Sequence, residues 1–438
     1  MRVPIVGPTV LLGGAGMGAL VTMVTLLPGP VGLAAAAGVL CCGVFLLWPW
    51  AVLPVGIIGG AVIGAMLSGG DVRGFIAVKV LLLAAGGVAL AVRQWLRVER
   101  PTRRTPADVG MLCLIALTVV AAIYGLAVGN RAEEVLVAAY QMATIPVYFF
   151  VATHTLTTTR RILAAGVLYV VLAGVFTALA VTAPGRHGGL ITVIAIPPLI
   201  WAAGRLRGWR RVGVLLLGGF FAVDVLLASY RGIWLAAALA LLIVAVRGGR
   251  TVRTGLAATA AAAIAVAAVL ALQPGVRDRA SEITKGLEQS AGYRGVESSV
   301  GLGVFADQPL VGAGLGQSTR GVYLSGFTLT DVGPVYHAFY VTVLANIGLV
   351  GLLLVLWPIL RSVRVGLRSR NGITLPFAAL SCGFLAAAVF AAPTDGHWEL
   401  GLLPALTLLT AQQEGAPLRR LAGAPLLRRP LHRTGVPA

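Results

Sequence analysis

The sequence predicts an all-α polytopic membrane protein with about 12–14 transmembrane helices and one long extracytoplasmic loop. Composition is the first observation behind this prediction, since 58% of the 438 residues are hydrophobic and only 11% are charged. Such a balance is typical of chains that reside in lipid. The second observation is that apolar runs of roughly 20 residues, the length that crosses a bilayer as a helix, recur along most of the chain.

The apolar runs follow one another from the N-terminus with short polar breaks. The earliest runs are interrupted by Pro28, Pro30, Pro49 and Pro54, and proline disfavours a continuous helix. This interruption leaves the number of spans between about 12 and about 14. The runs centre near residues 18, 39, 59, 83, 118, 144, 172, 196, 220, 239, 264, 348, 383 and 404.

Arginines fall in clusters separated by pairs of apolar runs, so all clusters can face one side of the membrane. The positive-inside rule assigns that side to the cytoplasm, with both termini there. We therefore expect a multi-pass protein of the bacterial inner (cytoplasmic) membrane. The net charge of +19 is interpreted as a topology signal and an attraction to anionic lipid, with no nucleic acid as a partner. The clusters are Arg93 to Arg104, Arg160 and Arg161, Arg205 to Arg211, Arg247 to Arg253, Arg361 to Arg370, and Arg419 to Arg433.

This topology divides the chain into four segments. Residues 1–211 form N-terminal transmembrane helices, and 212–357 form a core that includes the extracytoplasmic loop 273–335. Residues 358–410 form C-terminal transmembrane helices, and 411–438 form a basic cytoplasmic tail. The four cysteines all fall in apolar runs without a disulfide framework or metal-ligand spacing, so we expect no metal and no cofactor.

The loop 273–335 is expected to be functional and partly helical, because long structureless loops are uncommon in compact proteins. Alternating charges predict a surface helix over 276–290, and a second short helix is expected over 296–307. The glycine-rich stretch 312–316 then turns the chain. It resembles a phosphate-binding loop only loosely, since no strand precedes it and no Lys-Ser/Thr pair follows.

Three residues on the predicted outer face suit one kind of chemistry. Guanidinium groups bind phosphate oxygens bidentately and keep their charge, so Arg231 and Arg294 are suited to hold a departing diphosphate. Imidazole changes charge near neutral pH, so His337 is suited to take a proton from an acceptor hydroxyl. Transfer of a sugar from a polyprenyl diphosphate at the outer surface needs both functions.

The same residues lie in motifs that resemble a known family. SYRGIW opens an apolar run at 229–234, GYRGVESSVGLGVFADQPLVGAGLG fills 292–316, and YHAFYVTVLANIGLVG begins the next run at 336–351. Over residues 212–357 the chain is similar to the O-antigen ligase and Wzy-type polymerase superfamily. The resemblance implies a GT-C-like arrangement of helices and catalytic roles for Arg231, Arg294 and His337. It also implies metal-independent transfer, with inversion at the anomeric carbon, from a polyprenyl-diphosphate-linked glycan to a glycan or glycolipid acceptor.

Further polar residues are candidates for binding substrate, namely Lys79, Asp224, Arg320 and His397. Lys79 and Asp224 are predicted to lie inside spans, where charge is costly and often functional. Asp224 precedes Arg231 by two turns, which on one continuous helix places both on one face about 10 Å apart. Short outer loops that are candidates to line the acceptor side contain Arg186, His187, Asp395, His397 and Glu399.

Each candidate also has a structural interpretation. Arg231 can anchor a helix end in lipid headgroups, and Arg294 can pair with Glu297 on an exposed helix. The histidine can hydrogen-bond the loop without a chemical role. A buried pair of Asp224 with Lys79 can fix helix packing rather than serve catalysis.

The function predicted from these residues is a membrane glycosyltransferase, either a ligase or a polymerase, that acts on the extracytoplasmic face. The two differ only in the acceptor, and the sequence does not separate them. The rival prediction is a transporter or flippase of lipid-linked glycans or other small molecules, which requires a polar path through the bilayer. A purely structural membrane scaffold is a third alternative.

Overall fold

The computed structural model describes residues 40–62, 72–96, 104–182, 189–228, 231–272, 295, 297–322, 329–332, 336–370, 372–390 and 396–414. Almost all of these residues are helical. The helices are α1 (40–47), α2 (Pro49–Val62), α3 (Val72–Trp95), α4 (Asp108–Ala127), α5 (Ala132–Thr155), α6 (Thr159–Thr182), α7 (Gly189–Arg205), α8 (Gly208–Leu227), α9 (Arg231–Arg247), α10 (Arg250–Leu270), α11 (297–307), α12 (Phe339–Gly366), α13 (Thr374–Ala387) and α14 (Glu399–Gln413).

The helices confirm the predicted all-α polytopic class. Among the described residues, six helices are long and apolar enough to cross a bilayer, and α2, α7 and α13 are shorter apolar helices. The predicted total of 12–14 spans includes runs outside the described residues and stays a prediction. The six long segments are Val78–Trp95, Asp108–Ala127, Ala132–Thr155, Thr159–Ala178, Arg250–Leu270 and Phe339–Gly366.

One feature of the long loop was not predicted. Strands β1 (Thr319–Val322) and β2 (Leu329–Val332) pair antiparallel, which adds a small hairpin to the otherwise helical described chain. The predicted short helix near 296–307 is confirmed as α11. The predicted helix over 276–290 lies outside the described residues.

Glycines allow pairs of helices in the bundle to approach each other closely. A Cβ on Gly383 of α13 would lie 2.1 Å from the carbonyl oxygen of Ala236 in α9. A Cβ on Gly255 of α10 would lie 1.9 Å from the carbonyl oxygen of Ile200 in α7. Without hydrophobic driving force in lipid, small residues let the backbones approach and gain dispersion contacts.

The bundle has two ends, an arginine end and a loop end. At the arginine end, Arg247 donates to the carbonyl of Leu367 at 2.9 Å, and the amide of Gly249 donates to the carbonyl of Arg370 at 2.7 Å. At the loop end, the start of α12 meets the end of α13, because the amide of Phe339 donates to the carbonyl of Ala388 at 2.9 Å.

Helix α12 is broken at Gly348, whose φ of 64° and ψ of −167° are not helical. The break frees backbone donors that a spanning helix would otherwise satisfy internally, and lipid provides no replacement. The loop element PLVGAGLG at 309–316, called the glycine clip below, provides it. The amides of Leu349 and Val350 donate to the carbonyls of Pro309 and Leu310 at 2.9 and 3.2 Å.

The glycine clip also joins α12 to α4. The amide of Ala313 donates to the carbonyl of Ala345 in α12 at 2.8 Å, and the amide of Leu315 donates to the carbonyl of Ala121 in α4 at 3.2 Å. A Cβ on Gly125 of α4 would lie only 2.2 Å from the carbonyl oxygen of Leu315. The clip is therefore packed between two helices at the loop end.

Candidate functional site

The strongest polar contact at the loop end joins His337 to Glu297. The ring Nδ1 of His337 lies 2.6 Å from Oε2 of Glu297, and the backbone amide of His337 donates to the same oxygen at 3.0 Å. The Glu297 side chain is 5% exposed, whereas that of His337 is 45% exposed. A buried carboxylate thus holds a histidine whose ring still reaches the surface.

Helix α11 positions Glu297 because its apolar face docks on the start of α12. Val300 and Val304 of α11 pack against Tyr336, Val341 and Ala345. This packing brings the first turn of α11 beside the residue that precedes α12. The loop arrangement around the histidine is therefore fixed by hydrophobic contacts as well as by the hydrogen bonds.

The segment that carries His337 is held from its other side by Thr342. The Thr342 hydroxyl accepts a hydrogen bond from the amide of Tyr336 at 3.0 Å. The same hydroxyl lies 3.0 Å from the carbonyl of Tyr336. Because Tyr336 is fully buried, the backbone next to the histidine has little freedom to move.

The contact between His337 and Glu297 determines what the ring can do. A carboxylate accepts hydrogen bonds but does not donate them, so Nδ1 carries the proton that joins the pair. The neutral ring then keeps a lone pair on Nε2. An imidazole oriented in this way is suited to act as a general base.

Arg231 is the first residue of α9, and its side chain is exposed. Helix contacts link it to the histidine segment in two steps. Gly383 of α13 lies against Ala236 of α9, and the end of α13 is hydrogen-bonded to Phe339. Arg231 and His337 therefore both lie at the loop end of the bundle.

Of the two predicted loop arginines, the structure describes one. Arg294 lies outside the described residues, three positions before Glu297 in the sequence. Arg320 belongs to β1, where its Cα is paired with that of Asp331. Arg186, His187 and Asp395 also lie outside the described residues. The predicted pairing of Arg294 with Glu297 stays a prediction, while Glu297 itself is engaged by His337.

The glycine clip does not resemble a phosphate cradle in its contacts. Gly312, Gly314 and Gly316 have φ values of 70°, 83° and 83°, but the amides of Gly312 and Gly314 already donate to backbone carbonyls. The clip carbonyl of Leu315 also accepts a hydrogen bond from Nδ2 of Asn130 at 3.0 Å. The glycines of the clip allow it to pack between α4 and α12, which accounts for its loose resemblance to a phosphate-binding loop.

Residues 396–400, the described part of the PTDGHWEL segment (393–400), are more buried than their predicted place in a short outer loop indicated. His397 and Glu399 are 6% and 1% exposed, with Nδ1 of the histidine 2.8 Å from Oε1 of the glutamate. Their burial follows from Trp398, which packs inward against Tyr148 with ring centroids 5.7 Å apart. The predicted binding role of His397 stays a prediction, now for an interior group.

Lys79 lies beside this buried segment. It is 2% exposed, and its ammonium nitrogen lies 6.0 Å from the ring centroid of Trp398. It lies seven residues after Val72, where α3 begins, and its pairing with Asp224 stays a prediction.

The predicted shared face of Asp224 and Arg231 is wrong. Asp224 lies in α8, which ends at Leu227, and Arg231 begins α9, so no continuous helix joins them. Asp224 is 7% exposed and accepts a hydrogen bond from the hydroxyl of Thr192 in α7 at 2.8 Å. The structure thus links Asp224 to α7.

Within the described part of the chain, no three His, Cys, Asp or Glu side chains are grouped so as to hold a metal ion. Among the polar groups at the loop end are an exposed cation, Arg231, and a histidine held by a carboxylate. The cation is suited to bind an anion, and the histidine is suited to transfer a proton.

One segment of the chain matches a known protein family. Residues 216–356 match the family model described as O-Antigen ligase. No curated protein and no solved structure matched the chain. The matched segment contains α9, α11, the glycine clip and most of α12, and so includes Arg231, Glu297 and His337.

Proposed function

We propose, from the O-antigen ligase domain that this chain carries over residues 216–356, that it transfers a glycan from a polyprenyl diphosphate to an acceptor hydroxyl. This domain is found in membrane glycan ligases and polymerases. The reaction takes place at the loop end, on the extracytoplasmic face of the bacterial inner membrane. The acceptor is a second glycan or a glycolipid.

The observation that carries the proposal is the contact between Glu297 and His337. Nε2 of His337 removes the proton from the acceptor hydroxyl, and the hydroxyl oxygen forms a bond to the anomeric carbon. The bond from that carbon to the diphosphate breaks, and its electron pair leaves with the diphosphate. Attack from the face opposite the leaving group inverts the anomeric carbon. Glu297 orients the ring through its contact with Nδ1 and stabilises the positive charge that develops on the ring during proton transfer.

Arg231 and Arg294 bind the diphosphate in this proposal. Guanidinium groups stabilise the negative charge that develops as the diphosphate departs. Two fixed cations can do this without a divalent metal, so we propose that transfer is metal-independent. Arg231 is exposed at the first residue of its helix, where the membrane surface and the lipid diphosphate meet.

A transporter is the rival function. It requires polar groups along a path through the bilayer. Two described cavities of about 380 and 270 Å³ are lined almost wholly by apolar side chains, so neither of these two provides such a path. Ligase and polymerase remain alternatives within the proposal, since both need the same donor chemistry.

The proposal is tested in a strain that lacks the gene and carries the wild type or one variant. The variants are Arg231→Gln, Arg294→Gln and His337→Asn, and the matched control is Arg364→Gln, an exposed arginine in the last turns of α12. Lipid extracts are measured by mass spectrometry for polyprenyl-diphosphate glycans. Periodate, which does not cross the membrane, reports how much of that glycan faces outward in spheroplasts.

We expect outward-facing lipid-linked glycan to accumulate in the deletion and the three variants but not in the control. Losing a hydrogen bond to a charged group costs about 1.5–3 kcal/mol, or roughly 10- to 150-fold in transfer at ~1.4 kcal/mol per tenfold change. Accumulation of single repeats indicates a polymerase, and long chains indicate a ligase. Inward-facing accumulation, or normal lipid pools in all three variants, contradicts the proposal.

A further inference from the structure

An apolar groove lies between α6 and α7, near the arginine end and away from His337. Its volume is about 380 Å³, within the range of roughly 300–1,000 Å³ typical of ligand sites. Gly166 and Tyr169 of α6 form one wall, Trp201 of α7 forms the other, and Gly213 of α8 and Leu402 of α14 close it. It is called the α6–α7 groove below.

The lining of the α6–α7 groove suits a hydrocarbon chain. The hydroxyl of Tyr169 is already used, since it donates to the carbonyl of Ile191 at 2.9 Å. Leu163, Val167 and Val171 line the groove and are 51%, 64% and 55% exposed. Because these residues lie on the outer surface of α6, the groove opens sideways to the place that the bilayer occupies.

Arginines surround the end of the α6–α7 groove that lies toward the arginine end. Arg160 and Arg161 immediately precede the lining residue Ile162, and Arg205 precedes the lining residue Leu206. Residues 156–166 and 201–214 contain no Asp or Glu. Ile373 also lines the groove, and the amide of the next residue, Thr374, donates to the carboxylate of Glu414 at 3.3 Å. The arginines outnumber this carboxylate, so the end favours an anionic ligand.

Two buried nitrogen donors in the segments that line the groove lack an acceptor. One is Nε1 of Trp201, which lines the groove, and the other is Nε of Arg211, two positions before the lining residue Gly213; neither donates to an acceptor in the described part of the chain. The guanidinium of Arg205 stacks over the Trp201 ring, 4.7 Å from its centroid. Buried donors without partners are unfavourable, so an oxygen-rich group at this end would relieve the cost.

We propose that the α6–α7 groove binds one anionic phospholipid from the adjacent leaflet. One acyl chain lies along α6 from Ile162 to Val171, about 14 Å at ~1.5 Å per residue. The phosphate and ester oxygens accept from Arg205, Arg211 and Trp201. Basic pockets between transmembrane helices recognise anionic headgroups in this way. This lipid is separate from the glycan donor, so the proposal does not depend on the transfer reaction.

Glycines supply variants that fill the groove with little risk to folding. An added Cβ at Gly166 meets no atom within 4 Å, and the same is true of Gly87 on α3, which does not line the groove. Gly166→Leu should therefore occupy the groove, and Gly87→Leu is its matched control. Leucine is also the better helix former in both places. Arg211→Gln tests the charged end, with Arg364→Gln as its control.

The test uses the full-length protein in detergent, titrated with phosphatidylglycerol or phosphatidylcholine and measured by native mass spectrometry. We expect one phosphatidylglycerol to bind preferentially. Gly166→Leu should weaken that binding roughly tenfold by occupying the space of the acyl chain, and Arg211→Gln should weaken it roughly tenfold by removing one charge-assisted hydrogen bond. The two controls should bind as the wild type does. Size-exclusion chromatography checks that each variant is folded.

Two outcomes overturn the proposal. Equal binding of both phospholipids, or unchanged binding in Gly166→Leu and Arg211→Gln, means that lipid associates with the general surface. Displacement of phosphatidylglycerol by an equimolar polyprenyl phosphate means that the groove holds the carrier chain instead. Neither outcome changes the glycan pools that test the proposed transfer, so the two proposals fail independently.

Discussion

Replacing Glu297 with glutamine should slow transfer by removing charge while keeping the shape of the site. Both hydrogen bonds from His337 end on the same oxygen, at 2.6 and 3.0 Å, so the amide oxygen of glutamine can accept both. Charge-assisted bonds are roughly twice as strong as neutral ones. Half of about 1.5–3 kcal/mol corresponds to a fall in kcat of about 3- to 12-fold.

Glu297→Ala should have the larger effect, about 10- to 150-fold, because the ring loses the whole bond that orients it. The assay measures initial rates of glycan transfer in proteoliposomes that contain the lipid-linked donor isolated from the deletion strain. The KM for the donor should stay unchanged, since Glu297 does not hold the diphosphate. Asp307→Asn is the matched control for Glu297→Gln, because it also replaces a carboxylate by an amide, at the exposed last residue of α11.

A second substitution separates an effect on the histidine from a general effect on the loop. In the His337→Asn background, Glu297→Gln should cause no further loss, because residues that act through one another are not additive. A further loss in that background, or a wild-type rate for Glu297→Gln alone, would refute the reasoning.

Three other predictions concern packing and cofactor use. Gly125→Ala should lower the thermal midpoint in detergent, at a cost of about 1–3 kcal/mol, because its Cβ would lie 2.2 Å from the carbonyl oxygen of Leu315; Gly87→Ala, in open space, should not. Thr192→Val should destabilise the protein by about 1–3 kcal/mol by removing a donor from buried Asp224, and Thr192→Ser should restore stability in the same melting experiment. Transfer should continue at the same rate after dialysis against EDTA, whereas loss that added Mg²⁺ or Mn²⁺ restores would show that the arginines do not suffice.

The order of the site motifs was readable in the sequence, but their contacts were not. Arg231 and His337 were both predicted to lie at the end that carries the long loop, and the packing of α9 on α13 and of α13 on α12 agrees with that position. The sequence predicts Glu297 only as a partner for Arg294. It lies 40 positions from His337, and no local pattern signals a pairing across that distance.

What the sequence alone determined is the class of protein and the placement of most helices. Apolar runs of roughly 20 residues are expelled from water and form helices in lipid whatever their neighbours are, and α11 follows from its own residue pattern. Burial of His397 and Glu399, the break at Gly348 and the clip that fills it were decided only by the tertiary structure. These features depend on contacts between residues far apart in the chain, where packing and the need to satisfy buried polar groups select one arrangement among many.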